Sequence, residues 1–263
     1  MISSTKNEQV KTVIELRKKA KARNEAGLFA VEGVRMAFEL PPDRIERLYV
    51  SESFLKIPEN ERILEKFSRY ETVTDPVFSS MSDTQTPQGV LALVKQYEYG
   101  LPEILKAQSA AHLMILENLQ DPGNLGTILR AGEGAGITGV IMSRDTVDIY
   151  NPKVIRSTMG SVFRVPFLYT DDILKTAEEL KRHGIRLFAA HLDGKNNYEE
   201  EDYTGNTGFL IGNEGNGLTD ELSGLADTWV KIPMAGKVES LNAAVAASIL
   251  MFETARQRRN KRS

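Results

Sequence analysis

Three stretches in the second half of the sequence set polar side chains and glycines directly behind apolar runs. They are ENLQDPGNLGTILRAGEGAG at 117–136, GFLIGNEGNGL at 208–218 and VKIPMAGKVESLNAAVAASILMFE at 230–253. Together they offer a guanidinium (Arg130), a lone carboxylate (Glu214), two amides (Asn124 and Asn242) and a hydroxyl (Ser240). Glycines at a strand exit let the backbone turn sharply and approach a ligand closely. Glu214, set among Gly212, Gly215 and Gly217, is therefore either the brace of that turn or an acceptor facing a ligand. Asn124 follows Asp-Pro-Gly at the start of a helix, where an amide serves as N-cap or as ligand contact. Arg130 lies among Ile128, Leu129 and Ala131, and a guanidinium on so apolar a helix must pair or reach out to solvent. Ser240 reads as the cap of a helix whose core face carries Leu241, Val245, Ile249 and Phe252.

The elements that position these groups alternate between strand and helix. In the second half the pattern predicts strands at 112–119, 139–143, 164–169, 185–190, 208–212 and 229–234. Helices are expected at 123–136, around 151–160, at 171–183, after Gly217 and from Ser240. Ligands of open α/β sheets bind beyond the carboxyl ends of the strands, so three polar loops that each follow a strand suggest one shared pocket. The first half alternates too, with a basic helix over 8–23, strands at 28–33, 47–51, 71–74 and 89–97, and helices at 34–40, 58–70 and from Asp75. EYGLPEILKAQSA at 98–110 has the composition of a linker. The expected division is a domain at 1–97, the linker, and a second domain at 111–263.

With 263 residues and 41% hydrophobic content the chain is an ordinary globular one. No apolar run reaches the length of a membrane span, and MISSTKNEQVK lacks the apolar core of a signal peptide, so the cytoplasm is the expected compartment. The absence of cysteine excludes disulfides, thiolate metal sites and a thiol nucleophile. His112, His183 and His191 have no metal-ligand spacing, so no metal is expected. The net charge of −3 hides a local excess of cations. Lys6, Lys11, Arg17, Lys18, Lys19, Lys21, Arg23 and Arg35 crowd the N-terminal segment, and Arg256, Arg258, Arg259, Lys261 and Arg262 the C-terminal one. Such patches suit phosphate binding, and equally a solvated helix face or a disordered tail.

GAGITG at 134–139 fits the dinucleotide pattern G-x-G-x-x-G only formally. That motif needs a strand before it and a helix after it. Here a helix ends and a strand begins, as in a helix C-cap and turn. No phosphate-binding G-x-x-x-x-G-K-[ST] occurs.

The order N-x-G-x-x-x-R, then IGNEGNGL, then IPM-x(5)-SLNAAVAASI resembles the three motifs of the SpoU (TrmH) branch of the SPOUT RNA methyltransferases, over nearly all of residues 110–255. LFAVEGVRMAFEL and SDTQTPQGVLALV in the first half are similar to the substrate-binding domain of ribosomal-RNA 2′-O-methyltransferases in that family. The resemblance implies an α/β protein: an N-terminal L30e-like α/β domain that binds RNA, and a C-terminal parallel-sheet SPOUT domain with a trefoil knot. It implies methyl transfer from S-adenosyl-L-methionine to a ribose 2′-hydroxyl of RNA, large-subunit rRNA in the first place, by a homodimer in which one subunit contributes to its neighbour's site. Carried over by position, the cofactor contacts are Gly212, Ile232 and Leu241, and the catalytic group is Arg130 with Asn124, Glu214, Ser240 and Asn242. Lys6, Lys11, Lys18, Arg35 and Arg156 are the candidate RNA contacts, a surface role for Arg156 being equally open. A departing sulfonium needs no acid, so the chemical demand falls on the ribose hydroxyl, which must be aligned and lose its proton. Arginine is held in its charged form, which makes stabilising an alkoxide or holding a phosphate easier than acting as a base. Methyl transfer to tRNA, a resistance methyltransferase of the same domain plan, and a non-catalytic RNA-binding factor remain the alternatives.

Overall fold

The computed structural model describes residues 1–106 and 110–262. The chain forms two compact units, Met1–Tyr97 with Asp148–Phe163, and Glu98–Val147 with Arg164–Ser263. The first contains α1 (Glu8–Lys18), α2 (Ala20–Ala26), β1 (Leu28–Glu32), α3 (Val34–Glu39), β2 (Ile45–Ser51), α4 (Glu52–Leu55), α5 (Glu61–Leu64), β3 (Glu71–Val73), α6 (Asp75–Met81) and β4 (Val90–Lys95). Its sheet runs β1-β4-β2-β3, antiparallel except for the β2–β3 pair. Val10, Val13 and Leu16 of α1 pack in one core with Tyr49, Phe78 and Leu91.

Two helices differ from expectation. The basic helix breaks at Lys19, which is extended (φ −123°, ψ 118°). The break turns Arg23 back so that its guanidinium donates to the Leu16 and Arg17 carbonyls and pairs with Asp148. The helix expected over 58–70 shrinks to a 3-10 turn at Pro58–Asn60 followed by α5.

The second unit contains α7 (Leu101–Leu105), β5 (His112–Leu116), α8 (Pro122–Ala135), β6 (Gly139–Ser143), β7 (Phe167–Thr170), α10 (Ile173–Arg182), β8 (Arg186–Ala190), β9 (Asn196–Asn197), β10 (Thr207–Ile211), α11 (Asp220–Gly224), β11 (Thr228–Lys231) and α12 (Ala243–Arg262). Its sheet runs β7-β6-β5-β10-β8-β11-β9 with every pair parallel. Every residue of β5, β6 and β10 is buried, as expected of strands covered on both faces. Leu116 lies beside Ile211 in register, so the chain leaves β5 and β10 side by side. The C-terminal basic segment belongs to α12.

The remaining helix, α9 (Pro152–Thr158), lies in the segment Asp148–Phe163, which packs with the first unit rather than with the rest of the expected second domain. The Tyr150 ring packs against Phe29 with centroids 4.5 Å apart and planes tilted by 33°, and its hydroxyl accepts from the Tyr97 N–H at 2.7 Å. Within the expected linker, Leu101–Leu105 is helical with Ile104 buried. Residues 107–109 of that linker lie outside the described residues.

Candidate active site

The loop after β10 folds back on itself. Asn213 and Gly217 exchange N–H···O=C bonds at 3.0 and 2.9 Å, and Gly217 adopts φ +70°. A Cβ on Gly212 would stand 2.0 Å from the Gly217 carbonyl carbon. Glycine at 212 is thus required by the loop's own backbone. The Asn213 side chain accepts from the Gly215 and Asn216 N–H groups and donates to the Asn118 carbonyl at 2.8 Å. At the far end of the loop, buried Glu117 accepts from both the N–H and the hydroxyl of Thr219 at 2.8 Å.

This closed loop delivers Glu214 to the start of α8. Its carboxylate accepts from the N–H of Gln120 (3.0 Å), the N–H of Asp121 (2.9 Å) and Nδ2 of Asn124 (2.9 Å). Burial pushes its pKa up, but the donors from Gln120, Asn124 and Asp121 outweigh burial and hold it below the usual 4.5. Asn124 is buried, and its Oδ1 accepts from Nδ2 of Asn242 at 2.8 Å. Asn242 in turn accepts the N–H groups of Ala244 and Val245. One chain of hydrogen bonds, Glu214–Asn124–Asn242, therefore joins the three motifs. It also corrects the expected cap of α12: Asn242 performs that role, while Ser240 is exposed and, among the described residues, makes no hydrogen bond. Asp121, rather than Asn124, is the side-chain cap of α8.

Beyond the carboxyl ends of β8, β10 and β11 opens a cavity of about 670 Å³. Gly212, Ile232 and Leu241 line it, as do Glu214, Ser240 and Asn242; Asn124 stands one hydrogen bond behind. β11 ends at Lys231, before the expected 234, which leaves Ile232 in the loop wall. The sequence reading missed a further wall, His191, Leu192 and Asp193 after β8, where His191 stacks on Trp229 at 4.2 Å. The available signal was a polar loop following a predicted strand, the same signal that marked the other three. The volume is within the range of small-molecule sites, roughly 300–1,000 Å³. Loop backbone, apolar Ile232, Leu241 and Leu250, and a few polar groups line it, a donor set that suits a cofactor with both an apolar and a polar end.

Residues 111–252 match the family model described as the SpoU rRNA methylase family, and residues 7–92 match an MRM3-like substrate binding domain. The chain belongs to the SpoU rRNA methylase family. Membership carries the activity class with it, RNA 2′-O-ribose methylation with S-adenosylmethionine as methyl donor. The chain is 31% identical over 253 residues to the 23S rRNA (guanosine(2553)-2′-O)-methyltransferase RlmP of Bacillus subtilis, covering 95% of this chain and 97% of that one. It is also similar to the crystal structure of the SpoU methyltransferase AviRb from Streptomyces viridochromogenes in complex with AdoMet, at 29% identity. That match covers 96% of this chain and 98% of the other. That AdoMet complex superposes with a TM-score of 0.84. The TrmH/SpoU tRNA modifying enzyme of A. aeolicus matches with a TM-score of 0.53 and 27% identity, over 60% of this chain and 81% of that one.

Against this SpoU framework, Arg130 stands apart from the cavity. It is exposed on α8 and, among the described residues, forms no hydrogen bond or ion pair. Thr127 and Gly134, exposed on the same helix at positions three before and four after it, mark the face it shares. A Cβ on Gly134 would stand 3.7 Å from the ring of Phe252 on α12. Phe252 is 48% exposed and Val245 is 46% exposed, so the expected core stripe of α12 faces outward. Among the described residues its buried apolar side chains are instead Ala244, Ala247, Leu250 and Met251. In the first unit Lys6, Lys11, Lys18 and Arg35 are exposed, Lys11 pairing with Glu8 at 2.6 Å. Arg156 is half-buried and shares Asp83 with Arg17.

Proposed function

We propose that this SpoU protein methylates a ribose 2′-hydroxyl of large-subunit rRNA. The observation that carries the reading is the Glu214–Asn124–Asn242 chain, which ties all three motif loops around one cavity. A bound S-adenosylmethionine supplies the electrophilic methyl group. The backbone of Gly212, Ile232 and Leu241 would hold it, and Ser240, free of the capping role, is one of the polar lining groups that can face substrate. Glu214 acts as brace: with three N–H donors already on its carboxylate, it orients Asn124 instead of taking a proton. Arg130 stabilises the developing alkoxide or the adjacent phosphate, a task that a permanently charged fork performs well.

Because Arg130 shares an outward face with Val245 and Phe252, we assign it to the neighbour's site in a homodimer joined across α8 and α12. The first unit then serves as the RNA-binding module, its exposed lysines and Arg35 meeting phosphates, which give affinity without reading sequence. The similarity to RlmP over both units favours rRNA. The tRNA enzyme's match to only 60% of the chain gives the tRNA alternative less support.

The test uses labelled S-adenosylmethionine with unmodified transcripts of large-subunit rRNA, small-subunit rRNA and tRNA, alongside Arg130→Ala. Label is expected in the large-subunit transcript with the wild type alone. Label in tRNA would overturn the substrate, and absence of cofactor binding would overturn the enzyme.

A further inference from the structure

Two non-glycine residues among those described have a positive φ, Met159 (51°) and Asn118 (53°). Asn118 follows β5 in the turn that leads to α8. The left-handed region disfavours a side chain, although asparagine tolerates it better than most residues. Such strain persists only where several contacts impose it, and it clusters at functional sites. The first of these contacts is Ser143, buried at the end of β6. The Asn118 N–H donates to the Ser143 hydroxyl at 2.8 Å, and that hydroxyl donates to Oδ1 of Asn118 at 2.8 Å. The backbone and the side chain of Asn118 thus close on a single hydroxyl, which locks the residue in this conformation.

What the conformation delivers is a carbonyl. The Asn118 C=O accepts from Nδ2 of Asn213 at 2.8 Å and from Nε2 of Gln120 at 3.1 Å. Asn213 uses its other side-chain atom, Oδ1, to hold the N–H groups of Gly215 and Asn216 at 2.9 and 3.2 Å. Its amide is therefore oriented from both ends, the donor on the turn after β5 and the acceptor on the tip of its own loop. Rotating Asn118 into the helical or extended region would carry the carbonyl away from Nδ2. The Asn213 amide would then be free to turn and to release the loop tip. Just after Asn118, the N–H groups of Gln120 and Asp121 meet the Glu214 carboxylate. The loop is so registered at two successive residues, 213 and 214, against one backbone turn. Residues 212–218 all line the cavity, and Asn118 stands one hydrogen bond behind Asn213.

We propose that Asn118 is a positioning residue for the cofactor. Its left-handed backbone, locked by Ser143, sets the loop at 212–218 in the shape that receives S-adenosylmethionine, and it acts through Asn213. The proposal rests on the reading that this cavity is the cofactor's. Because Asn118 shapes the wall of the cavity, its effect falls on cofactor affinity.

The test is calorimetry of S-adenosylmethionine binding to the full-length protein without RNA. It compares wild type with Asn118→Ala, Asn118→Gly, Asn213→Asp and the double variant Asn118→Ala with Asn213→Asp. Alanine retains the strain and loses the tie to Ser143, whereas glycine enters the left-handed region freely. Asn118→Ala should weaken binding about tenfold, the scale of one hydrogen bond, and Asn118→Gly should recover most of that loss. A role in stability alone would lower Tm in both variants and leave the dissociation constant of the folded protein unchanged, which overturns the proposal. Asn213→Asp keeps the acceptor for Gly215 and Asn216 but removes the donor to Asn118. If the two residues act through their shared bond, the double variant binds about as well as the weaker single variant. Losses that multiply, to roughly a hundredfold, overturn the link. Should Asn118→Ala fail to fold, Ser143→Ala removes the lock instead and is expected to weaken binding about threefold to tenfold; unchanged affinity there overturns the proposal too. Leu241→Arg, which blocks the cavity, separates the two readings. If it binds as tightly as wild type, the cavity reading has failed and the proposal with it. Loss of binding in Leu241→Arg with none in the folded Asn118 variants overturns the proposal alone.

Discussion

Glu214 sums two opposing effects, burial that raises its pKa and N–H donors from Gln120, Asn124 and Asp121 that lower it by more. A carboxylate whose folded pKa lies below the unfolded one stabilises the fold fully above the unfolded value and loses that contribution as pH falls through the folded value. Glu214→Gln should therefore destabilise the protein near neutral pH, and the gap from wild type should close as the solution is taken below the ordinary 4.5. Urea midpoints of both proteins from pH 7 to pH 3 check this, and a constant gap would contradict it. Asn124→Ala strips a donor from Glu214 and an acceptor from Asn242 at once, within a buried position. A loss of about 1–3 kcal/mol of unfolding free energy, read from denaturant titration, is expected, with weaker cofactor binding measured by calorimetry. At this scale the sequence singled out Asn124, Glu214 and Asn242, which the fold joins by hydrogen bonds, but left the part of Glu214 open between brace and ligand contact. The choice depends on where Gln120 and Asp121 present their N–H groups, some ninety positions away along the chain. No local pattern records that distance.

The elements themselves were legible wherever their pattern was strong. The buried strands β5, β6 and β10 and the helix α8 fall within a few residues of their expected bounds, because apolar runs between glycine and proline signals admit few other readings. What failed was the start and the facing of α12. A serine ahead of an apolar repeat is a good cap signal, yet Asn242 holds the cap because its amide is also pinned by Asn124. The facing failed since Val245, Ile249 and Phe252 are larger than Ala244 and Ala247, and bulk was read as core. The close crossing of α8 and α12 selects small residues instead: a Cβ on Gly132 would stand 3.2 Å from the sulfur of Met251. Asn242→Ala is accordingly expected to cost about 1 kcal/mol of capping, or about 2–4 °C in Tm for a chain of this size. Ser240→Ala should leave Tm within error and act, if at all, on turnover. Thermal scans of the two variants distinguish the assignments, and a Tm loss confined to Ser240→Ala would reverse them.

For the molecule as a whole, family resemblance foretold two units but not the course of the chain between them. Asp148–Phe163 joins the first unit through Arg23, Tyr97 and Phe29, contacts between residues far apart in sequence that periodicity does not encode. The homodimer proposal belongs to this scale, and it makes a demand that a monomeric enzyme cannot meet. If Arg130 serves the neighbouring subunit, a protomer with Arg130→Ala and an intact cavity can be rescued by a partner with Arg130 intact and the cavity blocked by Leu241→Arg. Each homodimer is then inactive, while each mixed dimer holds one complete site. Random mixing of equal amounts should recover roughly a quarter of wild-type activity per subunit, since half of the dimers are mixed and each carries one live site of two. Val245→Asp with Phe252→Asp, placed on the exposed apolar face of α12, should abolish both the dimer seen by sedimentation and the rescue. Recovery of no activity from mixed subunits that sedimentation shows to be dimeric would place Arg130 at the site of its own chain.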